Sequence, residues 1–120
     1  MESILTSIKN LLGIVEEQKD FDAQIIIHIN SVLGFLTQIG VGPEEGFSIQ
    51  DDTAAWTDYI PEEGQKLEAV KSYIYLKVRL MFDPPTSSAL IENTNKLISE
   101  LEWRLSVSVD PPSNQYYCCW

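Results

Sequence analysis

The stretch from Lys66 to Leu105 decides the fold and reads KLEAVKSYIYLKVRLMF (66–82), DPPTSS (83–88) and ALIENTNKLISELEWRL (89–105). Its first part places apolar residues at three- and four-residue steps, on one helix face: Leu67, Val70, Ile74, Val78 and Met81. Pro84 and Pro85 end this helix because they remove donors and disfavour the α region before them. Thr86, Ser87 or Ser88 can cap the next helix, whose predicted inner face holds Leu90, Ile91, Leu97, Ile98, Leu101 and Leu105, with Thr94 between them. The stretch therefore predicts two antiparallel helices joined by a proline turn.

Two further helices are predicted before this hairpin. Residues 3–12 form a short amphipathic helix, with Ser3 as its cap and Gly13 at its end. Residues 21–39 contain a β-branched run typical of a strand, but the longer window follows the 3.6-residue period through Phe21, Ile25, Ile29, Val32, Leu36 and Ile39. We expect a helix there, capped by Asp20 or Asp22 and ended by Gly40. Gly34 inside it suggests close packing of another helix.

The remaining segments complete an all-α prediction. Residues 40–52 read as an acidic loop, and residues 53–60 as a short helical turn. The fold class is a small helical bundle of about four helices plus that turn, with an extended C-terminal arm. We place the helical domain at 1–105 and the arm at 106–120, because residues 105–109 alternate apolar and polar like a strand and Pro111-Pro112 follows.

Charge and composition narrow the function classes. The 120 residues carry 18 acidic side chains against 8 Lys plus Arg, a net charge of −10. That balance argues against tight binding to duplex DNA or to an anionic membrane, since both require clustered cations. No apolar run is long enough for a membrane span, and the N-terminus lacks the pattern of a signal peptide, so we expect a cytoplasmic product.

The sequence offers no catalytic or metal-binding constellation. His28 is the only histidine, and no nucleophile motif accompanies it. The glycines of 40–46 lack the Lys-Ser/Thr of a phosphate loop. Cys118 and Cys119 are adjacent and are interpreted as free thiols. We therefore expect no enzyme activity, no cofactor and no metal.

Aromatic side chains on polar faces point to protein contacts. Trp103 lies opposite the apolar stripe of its helix, and Tyr75 shares a helical row with Arg79. These three residues and Trp56 form the candidate interface. The candidate docking arm, able to add to a partner through backbone hydrogen bonds, contains Leu105, Val107, Val109, Tyr116, Tyr117 and Trp120.

Two stretches carry a family resemblance: FDAQIIIHINSVLGFLTQIGVGPEEGF (21–47) and EEGQKLEAVKSYIYLKVRLMFDPPTSSALIENTNKLISELEWRL (62–105), with Trp56 between them. Over about residues 3–110 the chain resembles the head-tail connector (adaptor) proteins of long-tailed bacteriophages. It is most similar to those of phages and prophages of Gram-positive bacteria. The most specific parts are VGP…GF and KVRLMFDPPTSS. They are family-typical strings and mark no catalytic centre.

The resemblance implies a structural virion protein of the phage neck that resides in the bacterial host cytoplasm before assembly. Such adaptors form a homo-oligomeric ring of roughly a dozen subunits through heterologous contacts. The ring lies between the portal and a downstream head-completion (stopper) or tail protein, and DNA passes through it without specific binding. A C-terminal arm reaches the portal in relatives, although NQYYCCW (114–120) departs from their usual endings. As an alternative, the net charge of −10 is compatible with a small acidic regulatory or adaptor module that binds a host or phage protein as a DNA mimic.

Overall fold

The structure is a computed structural model and describes residues 3–60 and 65–109. It contains five helices in this order: α1 (Ile4–Leu12), α2 (Asp22–Gln38), α3 (Trp56–Tyr59), α4 (Gln65–Phe82) and α5 (Ser88–Val109). Within the described ranges there is no strand, and a single antiparallel bridge joins Ser3 to Ala55. The predicted all-α bundle of four helices and a short helical turn is confirmed.

Helix α4 is the centre of the bundle. It packs against α1, α2 and α5, and its buried stripe consists of Leu67, Val70, Tyr73, Ile74 and Val78. The helix ends at the proline turn, as expected, with Asp83 N–H bonded to Arg79 O at 2.8 Å. Met81 was predicted on the buried stripe, but it is exposed. Its neighbours Leu80 and Phe82 are partly buried against the core, and the Phe82 ring lies 5.3 Å from that of Phe21, so only the Met81 side of the last turn is open.

Helix α2 resolves the helix–strand ambiguity in favour of the helix, and Ile25, Ile29, Val32 and Leu36 are buried on one side. The predicted acidic cap is wrong, because the N-cap residue is Phe21 and no side chain caps the helix. Asp22 instead pairs with a lysine of α1. Gly40 follows the C-cap with φ +94°, which confirms it as the terminating residue.

Lys9 holds the connection between α1 and α2. Its side chain is 3 % exposed, and its Nζ lies 2.8 Å from Asp22 Oδ1. The same Nζ donates to Gln18 O at 2.6 Å and to Glu16 O at 3.1 Å. The ammonium group therefore has two backbone acceptors and one ion-pair partner. Ser3 and Gly13 cap this helix as predicted, with Ser3 Oγ accepting from Thr6 N–H at 3.3 Å.

The loop from 40 to 55 is anchored to α2 by Asn30. Its side chain donates to Ile49 O at 2.9 Å and accepts from Ile49 N–H at 2.8 Å. Gly42 has φ +86°, and a Cβ there would lie 2.5 Å from Cε1 of Tyr59. Glycine therefore lets the loop backbone lie directly against the ring of α3.

Helix α5 packs chiefly on α4 and begins after the proline turn, where Leu90 N–H reaches Ser87 Oγ at 3.4 Å. Its predicted inner face is only partly correct. Ile98 and Leu105 are buried, whereas Leu90 is 55 % and Leu97 is 51 % exposed. A helix supported by a single neighbour buries a narrow stripe, and these two leucines lie at its edge.

The extended conformation predicted for residues 105–109 is wrong, because α5 continues through Val109. A helix already seventeen residues long gains a hydrogen bond with each added residue, and this outweighs the short alternating pattern. Leu105 is moreover buried against the core. Residues 110–120, including Tyr116, Tyr117 and Trp120, lie outside the described residues.

Candidate assembly surfaces

Trp103 lies on the side of α5 that faces away from α4. It precedes the buried Leu105 by two residues, which is about 200° around the helix. Half of its surface is exposed. Trp103 is located six residues before the end of α5, about 9 Å along the helix axis. An exposed indole at this position is suited to a protein contact.

Tyr75 and Arg79 form a second feature of the predicted interface. Arg79 Nη1 donates to Tyr75 Oη at 3.1 Å, one helical turn apart, and both side chains are half-buried. This bond, followed by the Tyr75 charge interaction and the charge of Asp83, raises the pKa of the Arg79 guanidinium. The guanidinium therefore presents a fixed positive charge in an acidic chain.

Trp56 does not fit the predicted interface. It is 3 % exposed, and Lys71 Nζ lies 5.5 Å from its ring centroid. α3 has only four residues, too few to show an amphipathic period, so sequence reasoning could not orient this side chain. Trp56 belongs to the core of the protomer.

Leu105 likewise does not belong to the candidate arm, because its side chain is buried in the core. Val107 and Val109 lie in the last turns of α5. The remaining arm residues are outside the described part of the chain, so their role in the arm stays a prediction.

Sequence reasoning missed the exposed apolar side chains of α2 and α5. Ile27 on α2 is 64 % exposed, and Leu90 and Leu97 on α5 are exposed to a similar extent. The available signal for α2 was the absence of any charged residue between Asp22 and Glu44. The signal for α5 was an apolar pattern broader than one neighbouring helix can cover.

Several enclosed polar groups in the described part of the bundle lack a hydrogen-bond partner. His28 is half-buried, with Nε2 enclosed and unpartnered. Desolvation raises the pKa of Tyr59 to about 12, whereas hydrogen bonds from Thr53 lower the pKa of Asp51 in the exposed loop. Among the described residues, no group of three His, Cys, Asp or Glu side chains could hold a metal ion. No helix in the described ranges is long and apolar enough to cross a bilayer.

Comparison with known protein families gives a match over most of the chain. Residues 4–112 match the family described as phage connector protein. No curated protein and no solved structure matches the chain.

Proposed function

Because the chain belongs to the phage connector protein family, which matches it from residue 4 to 112, we propose that it is a structural protein forming a ring between the portal and the tail. The ring extends the DNA channel and joins the head to the tail. The portal lies on one side and a head-completion (stopper) or tail protein on the other. The family match is the observation that carries this proposal, since it spans nearly all of the helical bundle.

The charge of the chain supports a channel role. A net charge of −10 gives the surface little capacity to displace the counterions of duplex DNA. A ring built from such protomers lets DNA pass without gripping its phosphates. Its location is the virion neck, after synthesis in the host cytoplasm.

The portal contact is assigned to the end of α5 and the residues after it. Trp103 is exposed there, and residues 110–120 add two tyrosines and a tryptophan. Val107 and Val109 belong to the same end of the chain. Tyr75 and Arg79 form an additional contact on α4, with the guanidinium held in place by the tyrosine.

Portal binding tests this assignment. We expect a chain ending at residue 109 to remain folded and to lose portal binding, because the core residues of α5 are retained while the aromatic tail is removed. Trp103→Ala should weaken binding about tenfold or more, as expected for a central interface tryptophan.

Val15→Ser, an exposed apolar change between α1 and α2, is the matched control and should bind normally. Binding is measured by sedimentation of the chain with purified portal protein from the same phage. Undiminished binding by both the truncated chain and Trp103→Ala would remove the portal assignment.

A further inference from the structure

One face of α2 is exposed and free of charge along its whole length. It contains Ala23, Ile27, Ser31, Gly34 and Gln38, which recur at three- and four-residue steps. All five are exposed, and Ile27 is 64 % exposed. We call this surface the α2 outer face. It is opposite the side of α2 that packs into the core.

The lack of charge on this face is unusual for the chain. α4 and α5 each carry five charged side chains, whereas α2 carries none after Asp22. Because the protein has a net charge of −10, two copies repel each other over most of their surfaces. The α2 outer face is a surface that a second acidic copy can approach without this repulsion.

Gly34 has no explanation within the protomer. The described glycines 13, 40, 42 and 46 all have positive φ, which accounts for them. Gly34 lies inside a helix with no such requirement, and a Cβ there would meet nothing within 4 Å. Among the described residues of the single chain, nothing supplies the close packing predicted for Gly34. Glycine weakens a helix interior relative to alanine, and its benefit here is to let another backbone approach.

The complementary surface is on α5. Leu90 and Leu97 are seven residues apart, on one side of the helix, and both are half exposed. Glu100 and Arg104 lie on the same side, and their 2.6 Å ion pair cancels their charges. We call Leu90 and Leu97 the α5 leucine edge. It is apolar and locally neutral, which matches the α2 outer face.

The positions of the two surfaces favour a repeating contact. α4 packs against both α2 and α5 and lies between them. The α2 outer face and the α5 leucine edge therefore belong to different parts of the protomer. A contact that joins two different surfaces is heterologous, and it closes into a ring when the rotation permits.

We propose that the α2 outer face of one protomer receives the α5 leucine edge of the next copy, with Gly34 as the point of closest helix approach. This inference rests on the ring of the proposed function and assigns its side-to-side contact. The occupant is a second copy of this chain.

Cross-linking tests the pairing. In a Cys118→Ser, Cys119→Ser background, the chain carrying both Ile27→Cys and Leu97→Cys is mixed with portal protein and treated with a short bis-maleimide. We expect a ladder of covalent multimers, because each copy is linked to two neighbours. Chains carrying Ile27→Cys alone or Leu97→Cys alone should remain monomeric. Symmetric dimers from Ile27→Cys alone, or its attachment to the portal, would overturn the proposal.

Gly34→Ala provides a test in which the protomer itself is strengthened. The added methyl group has free space, so the thermal midpoint of the protomer should rise by about 4 °C. Assembly should become about tenfold weaker, because the helices can no longer approach as closely. A stabilised protomer with unchanged assembly would contradict the proposed contact.

If the unmodified chain assembles but the Ile27–Leu97 ladder is missing, only this inference fails. If the unmodified chain shows no ring with portal, the proposed function fails with it.

Discussion

Two buried tyrosines show how differently the same hydroxyl group can contribute to this fold. Tyr73 Oη donates to Glu102 Oε2 at 2.8 Å and so connects α4 to α5. Tyr59 Oη is enclosed without a partner. Burial raises the pKa of both phenols above 10.0, to about 12 for Tyr59, and the hydrogen bond and negative charge of Glu102 add to the effect at Tyr73. The hydroxyl of Tyr73 thus stabilises a helix contact, whereas that of Tyr59 is removed from water without forming a hydrogen bond.

Replacement of each tyrosine by phenylalanine separates the two cases. Tyr59→Phe should leave the free energy of unfolding unchanged or raise it by about 1 kcal/mol, because it removes an unpaired buried hydroxyl. Tyr73→Phe should lower it by about 1 kcal/mol, because Glu102 loses its partner. Urea unfolding at pH 7 measures both. Equal losses for the two variants would contradict these roles.

The same pair predicts behaviour in alkali. Well below pH 10 both phenols are neutral in the folded and the unfolded chain. In that range their ionisation does not lower the free energy of unfolding. As the pH rises from 10 towards 12, the unfolded chain releases the Tyr59 proton while the folded chain retains it, so stability falls. Tyr59→Phe should therefore flatten the decline in this interval relative to the unmodified chain.

At the level of elements, Lys9 controls how α1 joins α2. Lys9→Met should lower the free energy of unfolding by about 3 kcal/mol, because Asp22 and two backbone carbonyls lose a buried cationic partner. Lys19→Met is the matched control. Lys19 is exposed, and its Nζ lies 3.9 Å from Asp52 Oδ2. Its replacement should change the free energy of unfolding by no more than about 0.5 kcal/mol. Equal effects of the two changes would show that the buried contacts of Lys9 do not determine the connection.

The helices themselves could be predicted from sequence because their apolar period extends over several turns. The period located α4 and the start of α5 within one residue, and it outweighed the β-branched run of α2. It did not reveal how many neighbours each helix has. For this reason the predicted inner face of α5 includes Leu90 and Leu97, although both are half exposed. The sequence also mispredicts the C-terminal end of α5. Five residues with alternating apolar and polar side chains favour a strand there, whereas the helix continues.

The candidate surfaces were less predictable than the fold. Trp103 was recognised because it interrupts a polar helix face, whereas Trp56 lies on an element too short to have a face. The acidic cap expected for α2 failed because Asp22 bonds to Lys9, a residue thirteen positions earlier. Such long-range pairing leaves no local trace in the sequence.

At the scale of the whole molecule, shape and charge are compatible with the proposed assembly. The extents are 49 × 35 × 21 Å, and the short dimension equals about two helix diameters. Apolar side chains are exposed on several helices of this flat body, among them α2, α4 and α5. A net charge of −10 opposes random association of copies. Assembly through defined neutral surfaces reconciles the exposed apolar groups with that charge.

Native mass spectrometry of the full chain, alone and mixed with its portal protein, tests most directly the proposal that this chain forms a ring on the portal. We predict a species containing many copies of the chain, either alone or bound to the portal, at one defined stoichiometry. A chain that stays monomeric and does not bind the portal at any protein ratio would contradict the account.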